Sequence, residues 1–207
     1  ESSVRSLSNG TKINDIFEIV MKIRKFNNEI PIILMGYYNS IFNLGIDNFT
    51  AKCAVTGVDG LIIVDLQPEE DSELFIKSKE RNIDLIRLIT PTTDKKRLNT
   101  ILSNASGFLY YVTITGITGQ NSANIDDLKN SISEIRSSTK LRIIAGFGIK
   151  NRKDVEQICS FTDLAYLRFV GHNQYRQTLR RCGNTRTAII SNNSMTVNKV
   201  CPYVRTS

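Results

Sequence analysis

No apolar run in this 207-residue chain approaches the roughly 18 residues that a membrane-spanning helix needs, so hydropathy predicts none. The opening Glu1-Ser2-Ser3-Val4-Arg5 has no apolar stretch of the signal-peptide kind. Histidine occurs once, at His172, and Cys53, Cys159, Cys182 and Cys201 stand far apart with no CxxC pair. A zinc site therefore has no ligand set, and Ser-His-Asp catalysis would have only that one imidazole to use. These absences predict a reduced, cytoplasmic protein without a metal. The GxGxxG run that marks a dinucleotide site after a first strand is missing as well.

Acid is also missing from one region. Residues 164–207 contain Arg168, Arg176, Arg180, Arg181, Arg186, Lys199 and Arg205 and no aspartate or glutamate. The whole net charge of +7 falls there, and residues 1–163 are balanced. The pI therefore gives no support to nucleic acid as a partner of the body of the chain. With 41% apolar and 23% charged residues, that body has the composition of a folded domain of ordinary size.

What is present is alternation. Ile13, Ile16, Phe17, Val20 and Ile23 recur at helical spacing within residues 12–28. Pro31-Ile32-Ile33-Leu34-Met35 is then apolar without alternation, as a strand covered on both faces would be. A helix over 41–55 stopped by Gly57, a strand over 61–64 and a helix opened by Pro68-Glu69-Glu70-Asp71 follow. The series continues with strand 84–89, helix 94–104, strand 107–113, helix 125–138, strand 141–145, helix 151–159 and a last strand near 162–170. Short connections rich in Gly, Pro, Asn and Asp separate them, which predicts parallel βαβ units.

An open doubly wound sheet and a (β/α) barrel both fit this order. The lack of GxGxxG and the late Gly146-Phe147-Gly148, placed to approach an anion after a strand, favour the barrel. Only about six of eight strands are counted. Barrel chemistry belongs at the carboxyl ends of strands, which directs attention to Asp65–Glu70, Thr115–Gly119 and Gly146–Gly148. Each has a plainer explanation: Asp65 as a cap or loop tie, the Thr-Gly run as a turn, the two glycines as a packing requirement. Tyr110 and Tyr111 share a strand, so one faces the barrel interior and the other the helices.

Five segments occur together in order: Pro31–Asn39, Gly57–Glu70, Ile89–Asp94, Gly107–Gly119 and Ala145–Ile149. With them the chain resembles the tryptophan synthase alpha subunit family over about residues 2–163. The resemblance implies an α/β fold of the (β/α)8 TIM-barrel class and retro-aldol cleavage of indole-3-glycerol phosphate to indole and glyceraldehyde 3-phosphate. It also implies an α2β2 assembly, in which indole passes to a pyridoxal-phosphate beta subunit while the alpha chain holds no cofactor. By the same resemblance Tyr110 stands near the reacting indole and Thr118 lies on the loop that closes over substrate. Ile62, Val64, Ile89 and Phe147 would form the substrate wall. Gly119, Gly148 and Gly171 would offer backbone N–H groups to the phosphate, and the Asn39 and Asp65–Pro68 regions would meet the beta subunit.

Two departures accompany these matches. The family's acid–base glutamate and indole-activating aspartate belong to sequence before Glu1, as do the first two strands, so a truncated front is expected. Without those carboxylates the chain would be a catalytically dead remnant that at most binds the beta subunit. At the other end the family's Gly-Ser becomes Gly171-His172. The expected division is thus a partial barrel over 1–163 and a divergent basic tail over 164–207. The tail reads as out-of-frame translation, with a basic appendage for nucleic acid or an anionic surface as the alternative.

Overall fold

The computed structural model describes residues 12–112, 123–146, 158–166, 188–189 and 195–199. Contacts divide the chain into two compact units, Glu1–Ile86 with Thr187–Ser207 and Arg87–Arg186.

The first unit opens with α1, Ile13–Phe26, which buries Ile16, Phe17 and Val20 along one face. Asp15 accepts from the Lys12 N–H at 2.7 Å, satisfying a donor at the helix start, and Arg24 and Lys25 sit in its last turn. The Asn27 side chain then accepts from the N–H groups of Glu29 and Ile30 at 2.9 and 3.0 Å and turns the chain into β1, Ile32–Gly36.

The helix expected over 41–55 is two helices, α2 (Tyr38–Leu44) and α3 (Ile46–Thr56), separated at Gly45, whose φ of 84° breaks the helical path. α3 ends at Gly57 in the left-handed conformation, with the Val58 N–H returning to the Cys53 carbonyl at 2.8 Å. Then come β2 (Gly60–Ile63), α4 (Ser72–Glu80) and β3 (Asp84–Leu85). A Cβ on Gly60 would lie 2.6 Å from Ile86 Cδ1 and 2.8 Å from Ile33 Cδ1, so a larger residue here would make those side chains shift.

The second unit contains β4 (Arg87–Ile89), α5 (Lys95–Ser103), β5 (Phe108–Val112), α6 (Ala123–Ser138), β6 (Arg142–Gly146) and β7 (Leu164–Tyr166). Asp94 caps α5 by accepting from the Arg97 N–H at 2.7 Å. All four strands pair in parallel in the order β4-β5-β6-β7. The strand expected over 84–89 is divided: Asp84–Leu85 ladder with β2 and Arg87–Ile89 with β5. Nothing in the run Asp84-Leu85-Ile86-Arg87-Leu88-Ile89 marks where the chain leaves one ladder for another.

In the first unit the order is β3-β2-β1-β9-β8, with β8 at Ala188–Ile189 and β9 at Met195–Lys199. β1, β2 and β3 are parallel, whereas β9 and β8 run antiparallel. The sequence reading assigned no element beyond residue 170. The pairing that makes β9 a strand comes from the backbone of β1, more than 150 positions away along the chain.

Two arginines hold the amino-terminal ends of the strands. Arg24 donates to the Gly57 carbonyl from Nε at 2.8 Å and to the Ile30 carbonyl at 2.6 Å, and it pairs with Asp59. Asp59 accepts the Ile32 N–H at 2.7 Å while its own N–H bonds the Ile32 carbonyl at 2.9 Å. In the second unit Arg136 donates to Asp163 at 2.9 Å, Asp163 accepts the Ile143 N–H at 2.8 Å, and its N–H returns to the Ile143 carbonyl at 3.1 Å. In each case an aspartate just before one strand ties the start of the neighbouring strand to the helix that precedes that neighbour.

Arg24→Met should lower stability by about 3 kcal/mol, because it leaves a half-buried carboxylate and two carbonyls without their donor. Urea denaturation with an unchanged m-value checks this. A loss under about 0.5 kcal/mol would reduce the arginine to surface decoration.

Candidate functional site

At the carboxyl end of β1 and β2 the parallel pairing is extended by one bond, from the Val64 N–H to the Gly36 carbonyl at 3.0 Å. The two following loops are therefore neighbours. Asp65 accepts the Tyr38 N–H at 2.7 Å and so satisfies one of the free donors at the start of α2. The plainer explanation, a loop tie, is thus a real part of what Asp65 does. Its side chain is nonetheless exposed, as is that of Asn39 in the first turn of α2, while Pro68 is half-buried. Around them Tyr37, Phe42 and Val64 are exposed to 59%, 67% and 41%, a concentration of large apolar side chains at one end of the sheet.

Strand alternation sorts the substrate-wall residues. Ile32, Leu34, Leu61 and Ile63 belong to the core beneath α1, α3 and α4. Ile33 and Ile62 are equally buried but stand outside that cluster, on the other face of the sheet. Ile62 thus occupies the face a barrel turns inward, and Val64 follows it at the open end.

The same sorting applies in the second unit. Leu109, Tyr111, Ile143 and Ala145 pack with Leu98 and Ile101 of α5 and with Leu128, Ile132 and Ile135 of α6. Tyr110 is 5% exposed and lies outside that cluster, in register with Leu88 and Ile144. It therefore stands on the face away from the helices, as alternation requires once Tyr111 faces them. Ile89, in register with Tyr111, belongs to the helix-side core. This differs from its expected place in the substrate wall: it is a strand-end residue of the opposite parity to Tyr110.

Thr118, Gly119, Phe147, Gly148 and Gly171 lie outside the described residues. Gly146, the last residue of β6, is buried and stands in register with Val112 and Tyr166. After β4, Thr90 is fastened by its own loop: its N–H donates to Thr93 Oγ1 at 3.1 Å, and its hydroxyl lies 2.9 Å from that of Thr92. The sequence reading placed these threonines in the Ile89–Asp94 segment and gave their hydroxyls no role.

Two buried groups mark how dry the helix-side cores are. Burial pushes the Tyr111 phenol above its ordinary value, partly offset by the nearby Ser131. Burial also raises the Cys53 thiol, which keeps it protonated and unreactive. Among the described residues no three His, Cys, Asp or Glu side chains gather as a metal site, and no helix is long and apolar enough to cross a membrane.

Parallel strands alternating with helices, with candidate side chains on the inward parity and in the loops at the carboxyl ends, define a partial (β/α) barrel. Residues 1–171 match the family described as tryptophan synthase alpha chain, and the chain belongs to that family. It is 34% identical to the tryptophan synthase alpha chain of Legionella pneumophila, with a TM-score of 0.69 over 78% of this chain and 59% of that one. Against subunit alpha from Campylobacter jejuni the identity is 35% and the TM-score 0.70, over 77% and 63%. A structure of the tryptophan synthase α2β2 complex from Pyrococcus furiosus matches at 30% and 0.70, over 78% and 64%. The chain thus spans less than two thirds of the length of these relatives.

Tyr111 gives a prediction in pH. Its raised value means that the folded state keeps the proton longer than the unfolded state, so its contribution is complete below about pH 10 and is lost above it. Tyr111→Phe should therefore flatten the fall in stability that sets in above about pH 10, measured by urea melts at successive pH values. An unchanged slope would show that the phenol titrates alike in both states.

Proposed function

We propose that this chain serves tryptophan biosynthesis through the alpha reaction, the retro-aldol cleavage of indole-3-glycerol phosphate to indole and glyceraldehyde 3-phosphate. The observation that carries this reading is the placement of Tyr110 on the inward strand face, in register with Leu88 and Ile144, in a chain of the alpha family. A flat, largely apolar indole needs an apolar wall with few polar groups to orient it. In the second unit Tyr110 has the parity for such a wall, and in the first unit Ile62 has it, with Val64 following on the same parity. Phe147 would extend it, Thr118 would close over the substrate, and the N–H groups of Gly119, Gly148 and Gly171 would receive the phosphate.

Cleavage requires a proton delivered to indole C3 and one removed from the C3′ hydroxyl, work for positioned carboxylates. Residues 1–207 supply no match to the family's carboxylate pair, so their share in this reading is binding and positioning. Indole would leave for a pyridoxal-phosphate beta subunit in an α2β2 assembly, with Asn39, Asp65 and Pro68 at the contact. No cofactor is needed on the alpha side.

A second reading, partner binding without turnover, is favoured by the exposed Tyr37, Phe42 and Val64 beside Asp65. One experiment separates the two. Indole release from indole-3-glycerol phosphate is followed with the full chain, alone and with a purified beta subunit. The first reading expects indole that Tyr110→Ala reduces by about 10- to 100-fold. Co-purification with the beta subunit and no indole establishes the second, and neither binding nor indole removes both.

A further inference from the structure

The carboxyl ends of β1 and β2 are joined by two bonds of different kinds. The last rung of the ladder runs from the Val64 N–H to the Gly36 carbonyl at 3.0 Å. Just beyond it the Asp65 side chain crosses to the other loop and accepts the Tyr38 N–H at 2.7 Å. Each end of this second bond adjoins a residue with its own proposed task. Tyr38 precedes Asn39, which is exposed in the first turn of α2 and proposed to meet the partner. Asp65 follows Val64, which shares its strand parity with Ile62 of the substrate wall. Two peptide bonds and one hydrogen bond therefore connect the partner surface to that wall.

The helix between them is governed from its ends. α2 has seven residues, too few to persist by helix propensity alone. Ile41 and Tyr38 seat it on the core of the first unit, and Tyr38 also packs on Phe42 with ring centroids 6.1 Å apart. At its back, a Cβ on Gly45 would meet nothing within 4 Å, so this glycine serves the φ of +84° that separates α2 from α3. At its front, Asp65 satisfies a donor at the positive end of the helix. Because Asp65 is exposed, water competes for its carboxylate and the tie contributes little by itself. A partner that excludes this water strengthens it.

We propose that Asp65 is a positioning residue that couples the partner surface to the substrate wall. A partner seated at Asn39 orders the first turn of α2, and the Asp65–Tyr38 bond carries that order to Val64. Substrate then binds with less ordering left to do. The inference rests on the reading of this chain as an alpha subunit that binds both an indole and a beta subunit.

The coupling is measured as a ratio. Indole propanol phosphate, which lacks the side-chain hydroxyls and is not cleaved, is titrated calorimetrically into the full chain without and with saturating beta subunit. The two dissociation constants should differ by about 5-fold or more in the parent chain, and Asp65→Ala should bring the ratio to about 1. A ratio cancels whatever affinity Asp65→Ala loses by itself at the partner contact. Asp65→Asn keeps an oxygen that can accept the Tyr38 N–H and should restore the coupling. A second pair of variants attacks the bond from its donor side and leaves the carboxylate in place. Tyr38→Ala and Tyr38→Pro both lose the ring, but only proline loses the N–H, and the first helical position tolerates it. Tyr38→Ala should therefore keep the coupling and Tyr38→Pro should abolish it. On addition of the beta subunit, hydrogen exchange at the Val64 amide should slow about tenfold in the parent and Asp65→Asn chains and stay unchanged in Asp65→Ala and Tyr38→Pro.

A parent chain that binds only one of the two ligands, or neither, fails the alpha-subunit reading and takes this inference with it. Where both bind, a parent ratio of about 1, or a ratio that Asp65→Ala and Tyr38→Pro leave unchanged, overturns the coupling and leaves that reading standing.

Discussion

The guanidinium of Arg24 sits where a helix end, a turn and two strand starts converge, and it supplies donors to all of them at once. Gly57 and Ile30 give it carbonyl oxygens, Asp59 gives it a carboxylate, and Asp59 in turn holds the first N–H of β1. Without it, the Gly57 and Ile30 carbonyls and the Asp59 carboxylate would lose their shared donor. Even the local backbone defers to this side chain: a Cβ on Gly57 would lie 2.8 Å from Arg24 Nε, at a φ of +86° that a side chain would also resist. The same construction recurs with Arg136, Asp163 and Ile143, so each unit has its parallel strands pinned at their amino-terminal ends by one arginine and one aspartate.

Pinning one end leaves the other for chemistry. At the carboxyl ends the bonds are lighter: Asp65 to the Tyr38 N–H, Thr90 to Thr93, Val64 to Gly36. These ties order the starts of the loops. Barrel proteins divide labour in this way, with stability at the amino-terminal face and function at the carboxyl-terminal face. The residues proposed to meet the indole and the partner all belong to the second face, and those that hold the sheets to their helices belong to the first.

Much of this was legible in the chain. The periods of Ile13–Ile23 and the apolar runs at 32–35, 61–63 and 108–112 correspond to α1, β1, β2 and β5, because helix and strand periodicities are local properties. The choice between Tyr110 and Tyr111 was legible as a pair but not as an assignment: alternation says that they face apart, and only the packing of Leu128, Ile132 and Ile135 says which faces the helices. Ile89 was misplaced for the same reason. Its motif resembled a family segment, but its parity depends on the ladder with β5, which a three-residue strand does not reveal.

The sequence alone therefore determined the alternation of helices and strands, the family and the candidate motifs, since these rest on spacing and residue type within short windows. Tertiary structure decided which strand faces turn inward, where the 84–89 run divides, and that Met195–Lys199, to which the sequence reading assigned no element, lies along β1. Those outcomes depend on hydrogen bonds and packing between segments far apart in the chain. A strand edge has no preference among partners until one of them is brought to it.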